Sequence, residues 1–285
     1  MIKPLRDTYL ISADETANEK TASGLYIDPT WDKYKNAVQV GVIESLPLSI
    51  SKSYNNDVEI DIGDKVYFHH FVIQDDNYLM DGDKKLFKLP RYHLYCVVKD
   101  GKIIVVDDWI LVSPILETEE DITKQYGTLK LYTKAVPDKK MFMATVEHIS
   151  TQGVREGFKI GDTIVYRTDA DYEIKIEGKE YYRMKTKNVV ATFRDGKLLP
   201  LRDELMIENT ARKEQVTKSG IILPAIKKER QQREKVVNIG SQYDEEQYNI
   251  GDEVSIFWYM GSGINHEGKN YVFLRPDEII GKYLN

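Results

Sequence analysis

One motif, present three times, constrains this sequence more than any other feature. An Ile-Gly-Asp triplet followed by alternating apolar residues begins at Ile62, Ile160 and Ile250, so the copies start 98 and 90 residues apart. Each copy is followed by a pair of an acidic residue and glycine that precedes another apolar run: Asp81-Gly82, Glu177-Gly178 and Glu267-Gly268. Such pairs between alternating runs predict β-hairpins. A repeat of this kind predicts three copies of one β module.

The predicted fold class is all-β, with three tandem small β-barrels and little helix. The apolar runs are short, rich in Val, Ile and Tyr, and separated by turn residues, without sustained helical periodicity. We place the domains at residues 1–100, 101–195 and 196–285. At both junctions the sequence reads strand, Asp-Gly, strand, around Asp100 and Asp195. The last strand of one module is therefore predicted to fold back, antiparallel, on the first strand of the next.

Composition limits the possible environments and partners. No apolar run approaches the roughly 18 residues of a membrane helix, and the first residues lack a signal-peptide pattern, so we expect a cytoplasmic protein without a membrane partner. The single cysteine, Cys96, cannot form an internal disulfide and is predicted to be a buried apolar residue. The net charge of −6 argues against a nucleic-acid partner.

No known catalytic motif occurs in the sequence, so we expect neither an enzyme nor a bound cofactor. The one candidate metal cluster is His69-His70, which lies near Asp75-Asp76. Adjacent residues of a strand point to opposite faces, so the two imidazoles are not expected to share an ion. We therefore predict no metal site.

Two segments combine a small polar hinge with large apolar residues and a proline. One runs from Thr217 to Pro224 and includes Ile221, Ile222 and Leu223, whereas the other runs from Thr21 to Pro29. The hinge glycines occupy the same place in both segments. Gly24 follows Asp7 by seventeen residues, Gly220 follows Asp203 by seventeen, and each aspartate ends a Pro-Leu-Arg-Asp tetrapeptide.

Taken together, these residues resemble the GroES-type co-chaperonins of the chaperonin-10 family, and the resemblance covers nearly the whole chain. It implies an irregular β-barrel with a mobile loop that docks between two helices of a chaperonin apical domain. It assigns chaperonin binding to Ser219, Gly220, Ile221, Ile222, Leu223, Gly24, Leu25, Tyr26 and Ile27. The middle module has Lys130 at the centre of Gly127-Thr128-Leu129-Lys130-Leu131, and this loop is not expected to dock.

Elementary energetics are consistent with a docking role for the apolar triplet. Burial against a partner contributes about 1.5–3 kcal/mol for each large apolar side chain, whereas ordering the loop costs about 1–2 kcal/mol per residue. A single loop should therefore bind weakly, and several loops on one ring should bind together and still release. The alternative is that Ile221, Ile222 and Leu223 form an ordinary buried strand.

The resemblance implies a co-chaperonin that caps a GroEL-type chaperonin, encloses an unfolded client protein and forms a homo-oligomeric ring, while the partner hydrolyses ATP. Rings of that family contain seven barrels, whereas two chains of three modules supply six and three chains supply nine. One possibility is that each chain forms a three-barrel arc; another is that only one module per chain enters the ring. The alternative function is structural assembly, for example in a phage virion or tail, by a GroES-like barrel without chaperonin binding.

Overall fold

The strands of the protein form three main sheets that follow one another along the chain. The structure is a computed structural model, and it describes residues 2–14, 38–54, 57–74, 76–118, 123–126, 129–132, 138–209, 215–216, 222–223, 233–244, 247–257 and 261–284. In these residues the one α-helix, α1, spans Thr151–Arg155. The predictions of a β fold with little helix and of a threefold repeat are confirmed.

The first sheet has seven strands in the order β4-β5-β1-β2-β3-β6-β7. Its strands are β1 (Thr8–Ser12), β2 (Val40–Ser45), β3 (Lys65–Phe68), β4 (Tyr78–Asp81), β5 (Lys84–Pro90), β6 (Leu94–Lys99) and β7 (Lys102–Val105). The β4–β5 pair is the hairpin that the acidic-glycine signal predicts, although its turn lies at residues 82–83, one position later than Asp81-Gly82.

The second sheet repeats this topology in the order β13-β14-β8-β11-β12-β15-β16. Its strands are β8 (Trp109–Leu116), β11 (Lys139–Ile149), β12 (Thr163–Tyr166), β13 (Tyr172–Ile176), β14 (Lys179–Lys185), β15 (Val189–Arg194) and β16 (Lys197–Pro200). A separate antiparallel pair, β9 (Thr123–Tyr126) and β10 (Leu129–Tyr132), lies in sequence between β8 and β11.

The third sheet has six strands in the order β22-β23-β17-β20-β21-β24. Its strands are β17 (Leu205–Asn209), β20 (Glu234–Ile239), β21 (Glu253–Ile256), β22 (Ser262–His266), β23 (Lys269–Leu274) and β24 (Ile279–Lys282). The two-residue strands β18 (Gln215–Val216) and β19 (Ile222–Leu223) pair with each other in a separate antiparallel ladder.

Both Asp-Gly junctions form the antiparallel hairpins that the sequence predicts. Strand β6 pairs with β7 and β15 pairs with β16. The turn residues Asp100 and Gly101 have φ values of 50° and 72°, and Asp195 and Gly196 have 50° and 72°, as a two-residue hairpin turn requires. In the sheet orders, β7 and β16 are edge strands of the preceding sheet, and the next sheet begins at β8 or β17. The domain bounds at residues 100 and 195 stay predictions.

The Cα positions divide into two compact units, each with its own apolar core. The first unit contains Met1–Ser113, Val146–Gly161 and Asp171–Thr186, and the second contains Pro114–Thr145, Asp162–Ala170 and Lys187–Asn285. Phe68, Leu94 and Trp109 lie in the core of the first unit. Among the described residues of the second unit, one cluster lies around Val165 and Phe273 and another around Leu205, Val254 and Leu274.

Cys96 lies in the core of the first unit and is fully buried, as predicted. Burial raises the pKa of its thiol, so the group stays protonated and apolar in character. Among the residues that the structure describes, no helix is long and apolar enough to cross a membrane.

Candidate functional site

All three predicted loops connect the first two long strands of their sheets. They lie between β1 and β2, between β8 and β11, and between β17 and β20. In the first and third sheets these strands are antiparallel partners, with Ser12 opposite Val42 and Glu208 opposite Lys235. At the base of the middle loop, the Glu117 amide donates to the Asp138 carbonyl at 2.7 Å. The two ends of each loop are therefore adjacent in the module.

Most of the predicted binding residues of the third loop lie outside the described residues: Ser219, Gly220 and Ile221. Ile222 and Leu223 form β19, where Ile222 is opposite Val216 and Leu223 is opposite Gln215. This ladder is separate from the six-stranded sheet. The apolar pair thus has an extended backbone in a small hairpin of the loop itself, and its binding role stays a prediction.

The other two loops differ in what the structure describes. Gly24, Leu25, Tyr26 and Ile27 of the first loop all lie outside the described residues, so their role also stays a prediction. In the middle loop, β9 and β10 form a four-residue ladder in which Leu129 is opposite Tyr126. Gly127 and Thr128, which connect these strands, lie outside the described residues.

The bases of the first two loops carry the same polar link, which the sequence analysis missed. Ser12 Oγ donates to Glu44 Oε1 at 2.6 Å, and Ser113 Oγ donates to Glu147 Oε1 at 2.7 Å. Each glutamate also pairs with a lysine of the adjacent hairpin, Glu44 with Lys84 at 2.6 Å and Glu147 with Lys179 at 3.1 Å. Hydrogen bonds from lysine and serine lower the pKa of both carboxyl groups. In both modules the link thus joins the first long strand, the second long strand and the hairpin at the base of the loop.

A sequence signal for this link exists. Ser12 follows Asp7 by five residues, and Ser113 follows Asp108 by five. In the third module Glu208 of β17 pairs directly with Lys269 of the hairpin at 3.0 Å. An ion pair therefore joins the hairpin to the loop base in every module. The glutamate lies on the second long strand in the first two modules and on the first strand in the third.

The Ile-Gly-Asp motif has a structural role in all three modules. Its glycines, Gly63, Gly161 and Gly251, have φ values of 95°, 89° and 100°, a region that L side chains rarely adopt. Each glycine amide donates, at 2.8 Å, to a carbonyl of the second long strand: Ile43, Val146 and Val236. The aspartates pair with a cation near the end of the module: Asp64 with Lys99, Asp162 with Arg194 and Asp252 with Lys282. The motif therefore fixes the turn into the third long strand.

The expectation that His69 and His70 point to opposite faces is wrong. Strand β3 ends at Phe68, and His70 begins a 3-10 helix that spans His70–Val72. The two imidazoles stack with their ring centres 4.2 Å apart, and His69 also stacks on His93 at 5.0 Å. No cluster of metal-ligating side chains occurs among the described residues.

Comparison with known proteins identifies the repeated module. The family model described as "Chaperonin 10 Kd subunit" matches residues 1–106, 102–193 and 197–283. The chain belongs to the chaperonin 10 family. Each of the three matches contains most or all of one main sheet together with its loop, so the predicted family and its tandem repeat are confirmed.

Individual chaperonin 10 relatives correspond to about one module each. The Co-chaperonin GroES of Exiguobacterium sibiricum is 38% identical over 90 residues, which are 29% of this chain and 95% of the relative. That of Geobacter metallireducens is 34% identical over 92 residues, which are 30% of this chain and 96% of the relative. A complete relative is thus similar to about a third of this chain.

Proposed function

We propose that this chain is a co-chaperonin that caps the folding chamber of a GroEL-type chaperonin in the cytoplasm and so encloses an unfolded client protein. The observation that carries the proposal is the match of all three segments to the chaperonin 10 family. Each segment carries its loop at the same place, between the first two long strands. The third loop combines the Ser219-Gly220 hinge with three consecutive aliphatic residues.

The position of the loops supports reversible docking. Both ends of the third loop are held by strand pairing, since Glu208 of β17 lies opposite Lys235 of β20. Ile222 and Leu223 already have an extended backbone, which lowers the conformational entropy that docking must remove. Several such loops on one assembly would bind together through their effective concentration, so each can remain weak enough for release.

Binding to an ATP-loaded chaperonin tests the proposal. The purified chain should co-sediment with a GroEL-type chaperonin when ATP is present. Changing Ile221, Ile222 and Leu223 together to serine should remove this binding, because the apolar area that docks would be lost. The circular-dichroism spectrum and Tm of the variant should match those of the parent chain.

A matched control uses the middle loop. Changing Leu129 and Leu131 to serine removes two large apolar side chains from the loop that is not expected to dock, and binding should be unaffected. Equal losses in the two variants would contradict loop-specific docking. A parent chain that never binds the chaperonin would contradict the co-chaperonin proposal and would favour structural assembly.

We also propose that the chain associates with further copies of itself. Strands β6 and β15 are each covered by a following strand, β7 or β16, whereas β24 is one of the two edge strands of the third sheet. Ile280 of β24 is 53% exposed. An uncovered edge presents unpaired amide and carbonyl groups that can accept a strand from another copy.

The direction of the β24 amides allows a sharp test. The Tyr283 amide donates inward to the Glu253 carbonyl, so by alternation within the regular part of the ladder the Lys282 amide faces outward. Lys282→Pro should reduce the mass of the native particle, because proline lacks the amide proton. Lys282→Ala removes the same side chain but keeps the amide, and it should assemble normally. A parent chain that is monomeric by native mass measurement would contradict self-association.

A further inference from the structure

A buried guanidinium in the first unit packs against aromatic rings and has no partner of opposite charge in the part of the chain that the structure describes. Arg183 of β14 is 4% exposed. Its guanidinium carbon lies 4.2 Å from the ring centre of Tyr95, 4.9 Å from that of Tyr172 and 5.8 Å from that of Trp109. Cation–π attraction partly compensates for its burial. Among the described residues, however, no carboxylate forms an ion pair with Arg183.

The geometry leaves a particular part of Arg183 available. Aromatic rings attract a guanidinium over the ring face, whereas the N–H groups of the guanidinium point outward in its plane. Arg183 Nε is buried and has no hydrogen-bond partner among the described atoms. The hydroxyl of Tyr95, whose ring contacts the same guanidinium, is likewise buried with no partner among the described residues. Two buried polar groups that normally require hydrogen bonds therefore lie side by side.

Two half-buried imidazoles border this group. The ring centre of His69 lies 5.0 Å from that of His93 and 6.3 Å from that of Tyr95. His69 Nδ1 accepts a hydrogen bond from the Phe71 amide at 3.2 Å, so the neutral ring carries its proton on Nε2, where it can be donated. Burial and the charge of Arg183 lower the pKa of His69 and of His93. Both rings are thus neutral donors.

We propose that Arg183, Tyr95, His69 and His93 form a binding site for a small oxyanion, that is, a phosphate or carboxylate group. A guanidinium is suited to such groups, because its planar N–H groups match two oxygens of one anion. Tyrosine and imidazole supply further donors from the sides. The oxyanion provides the negative charge that a buried cation normally acquires from a neighbouring carboxylate.

Thermal unfolding in the presence of inorganic phosphate tests this site on the full chain. At about ten times its Kd, phosphate should raise Tm by about 3 °C, because only the folded protein has the assembled site. Sodium chloride of matched ionic strength gives the reference value, which removes the general effect of salt. A parallel titration with acetate determines whether the site prefers phosphate or carboxylate.

Three variants determine where the anion binds. Arg183→Met should abolish the anion-dependent rise in Tm, and Tyr95→Phe, which removes only the hydroxyl, should weaken binding about tenfold. Arg155→Gln is the matched control for the loss of one positive charge: its side chain is 60% exposed, and it should retain the full response. The proposal is overturned if neither anion exceeds the chloride reference, or if Tyr95→Phe and a folded Arg183→Met both respond like the parent.

Discussion

Arg91 and Asp107 form a buried ion pair that ties the end of β5 to the segment between β7 and β8. Arg91 Nε donates to Asp107 Oδ2 at 2.8 Å and Nη2 donates to Oδ1 at 3.1 Å, while Nη1 donates to Tyr9 Oη at 2.8 Å. The side chains are 2% and 9% exposed. Burial lowers the pKa of Arg91, but the hydrogen bonds and charge of Asp107 outweigh it and raise the pKa overall.

Asp107→Asn should destabilise the first unit substantially. The substitution removes the negative charge of this buried pair and keeps the Arg91 charge in place, which costs about 3–5 kcal/mol. Urea unfolding at neutral pH measures the loss. Glu177→Gln is the comparison: Glu177 pairs with Lys65 at 2.5 Å, but both side chains are more than 40% exposed, and its removal should cost less than about 1 kcal/mol. If the two variants lost similar free energies of unfolding, burial would not explain the greater importance of the Arg91–Asp107 pair.

Two glycines near α1 should respond to alanine with opposite signs. Gly161 of the repeated motif has a φ of 89°, so Gly161→Ala should cost about 1–2 kcal/mol through backbone strain, although a Cβ would meet no atom within 4 Å. Gly153 lies within α1, and its Cβ would meet side chains at 3.5–3.6 Å, which is ordinary contact. Gly153→Ala should stabilise by about 0.5–1 kcal/mol. Thermal unfolding of both variants gives the change in Tm that each substitution causes. Changes of the same sign would contradict the opposite roles assigned to Gly161 and Gly153.

The stability of the first unit should fall as the pH falls below about 6.5. Burial first, and then the charge of Arg183, lower the pKa of His69 to about 3. Between these two values the unfolded chain binds a proton that the folded chain does not, so acid favours unfolding. The free energy of unfolding should fall by at most about 1.4 kcal/mol per pH unit, and by less than this because the His69 ring is partly exposed to solvent.

His69→Asn provides the matching variant for this pH dependence. Asparagine retains a side-chain oxygen that can accept from the Phe71 amide, but it does not titrate. The change in the free energy of unfolding between pH 7 and pH 5, measured with urea, should be smaller in the variant than in the parent. An identical pH dependence in both proteins would show that His69 does not contribute.

Local sequence patterns predicted the hairpins well. The turns at Glu177-Gly178 and Glu267-Gly268 have positive φ at both residues, and these conformations depend on the turn residues themselves. The first hairpin differs because Asp81 pairs with Lys84 inside the ladder, which moves the turn to residues 82–83. Strand register decides such a shift, and register depends on side chains beyond the turn.

The histidines show why the candidate site was harder to predict. The expectation for His69 and His70 assumed that the strand continues beyond Phe68, but a 3-10 helix begins at His70 and brings the rings together. The Ser12–Glu44 link joins residues 32 positions apart. The stacked rings have no local sequence signal, and the repeated spacing from aspartate to serine does not indicate which glutamate the serine contacts. Both features depend on where one element ends and another packs against it.

The sequence by itself determined the threefold module, its hairpins and the family. Turns with a left-handed backbone require glycine or an acidic residue followed by glycine, so the same residues recur at the same places in each module. Only the tertiary structure decided that β7 and β16 complete the preceding sheets and that Arg183 lies against Tyr95. Arg183 and Tyr95 are far apart in the chain, and burial, rather than any local pattern, selects them as neighbours. The oxyanion site that we propose therefore depends on contacts between residues that are distant in the chain, whereas the fold of each module depends on its local turn residues.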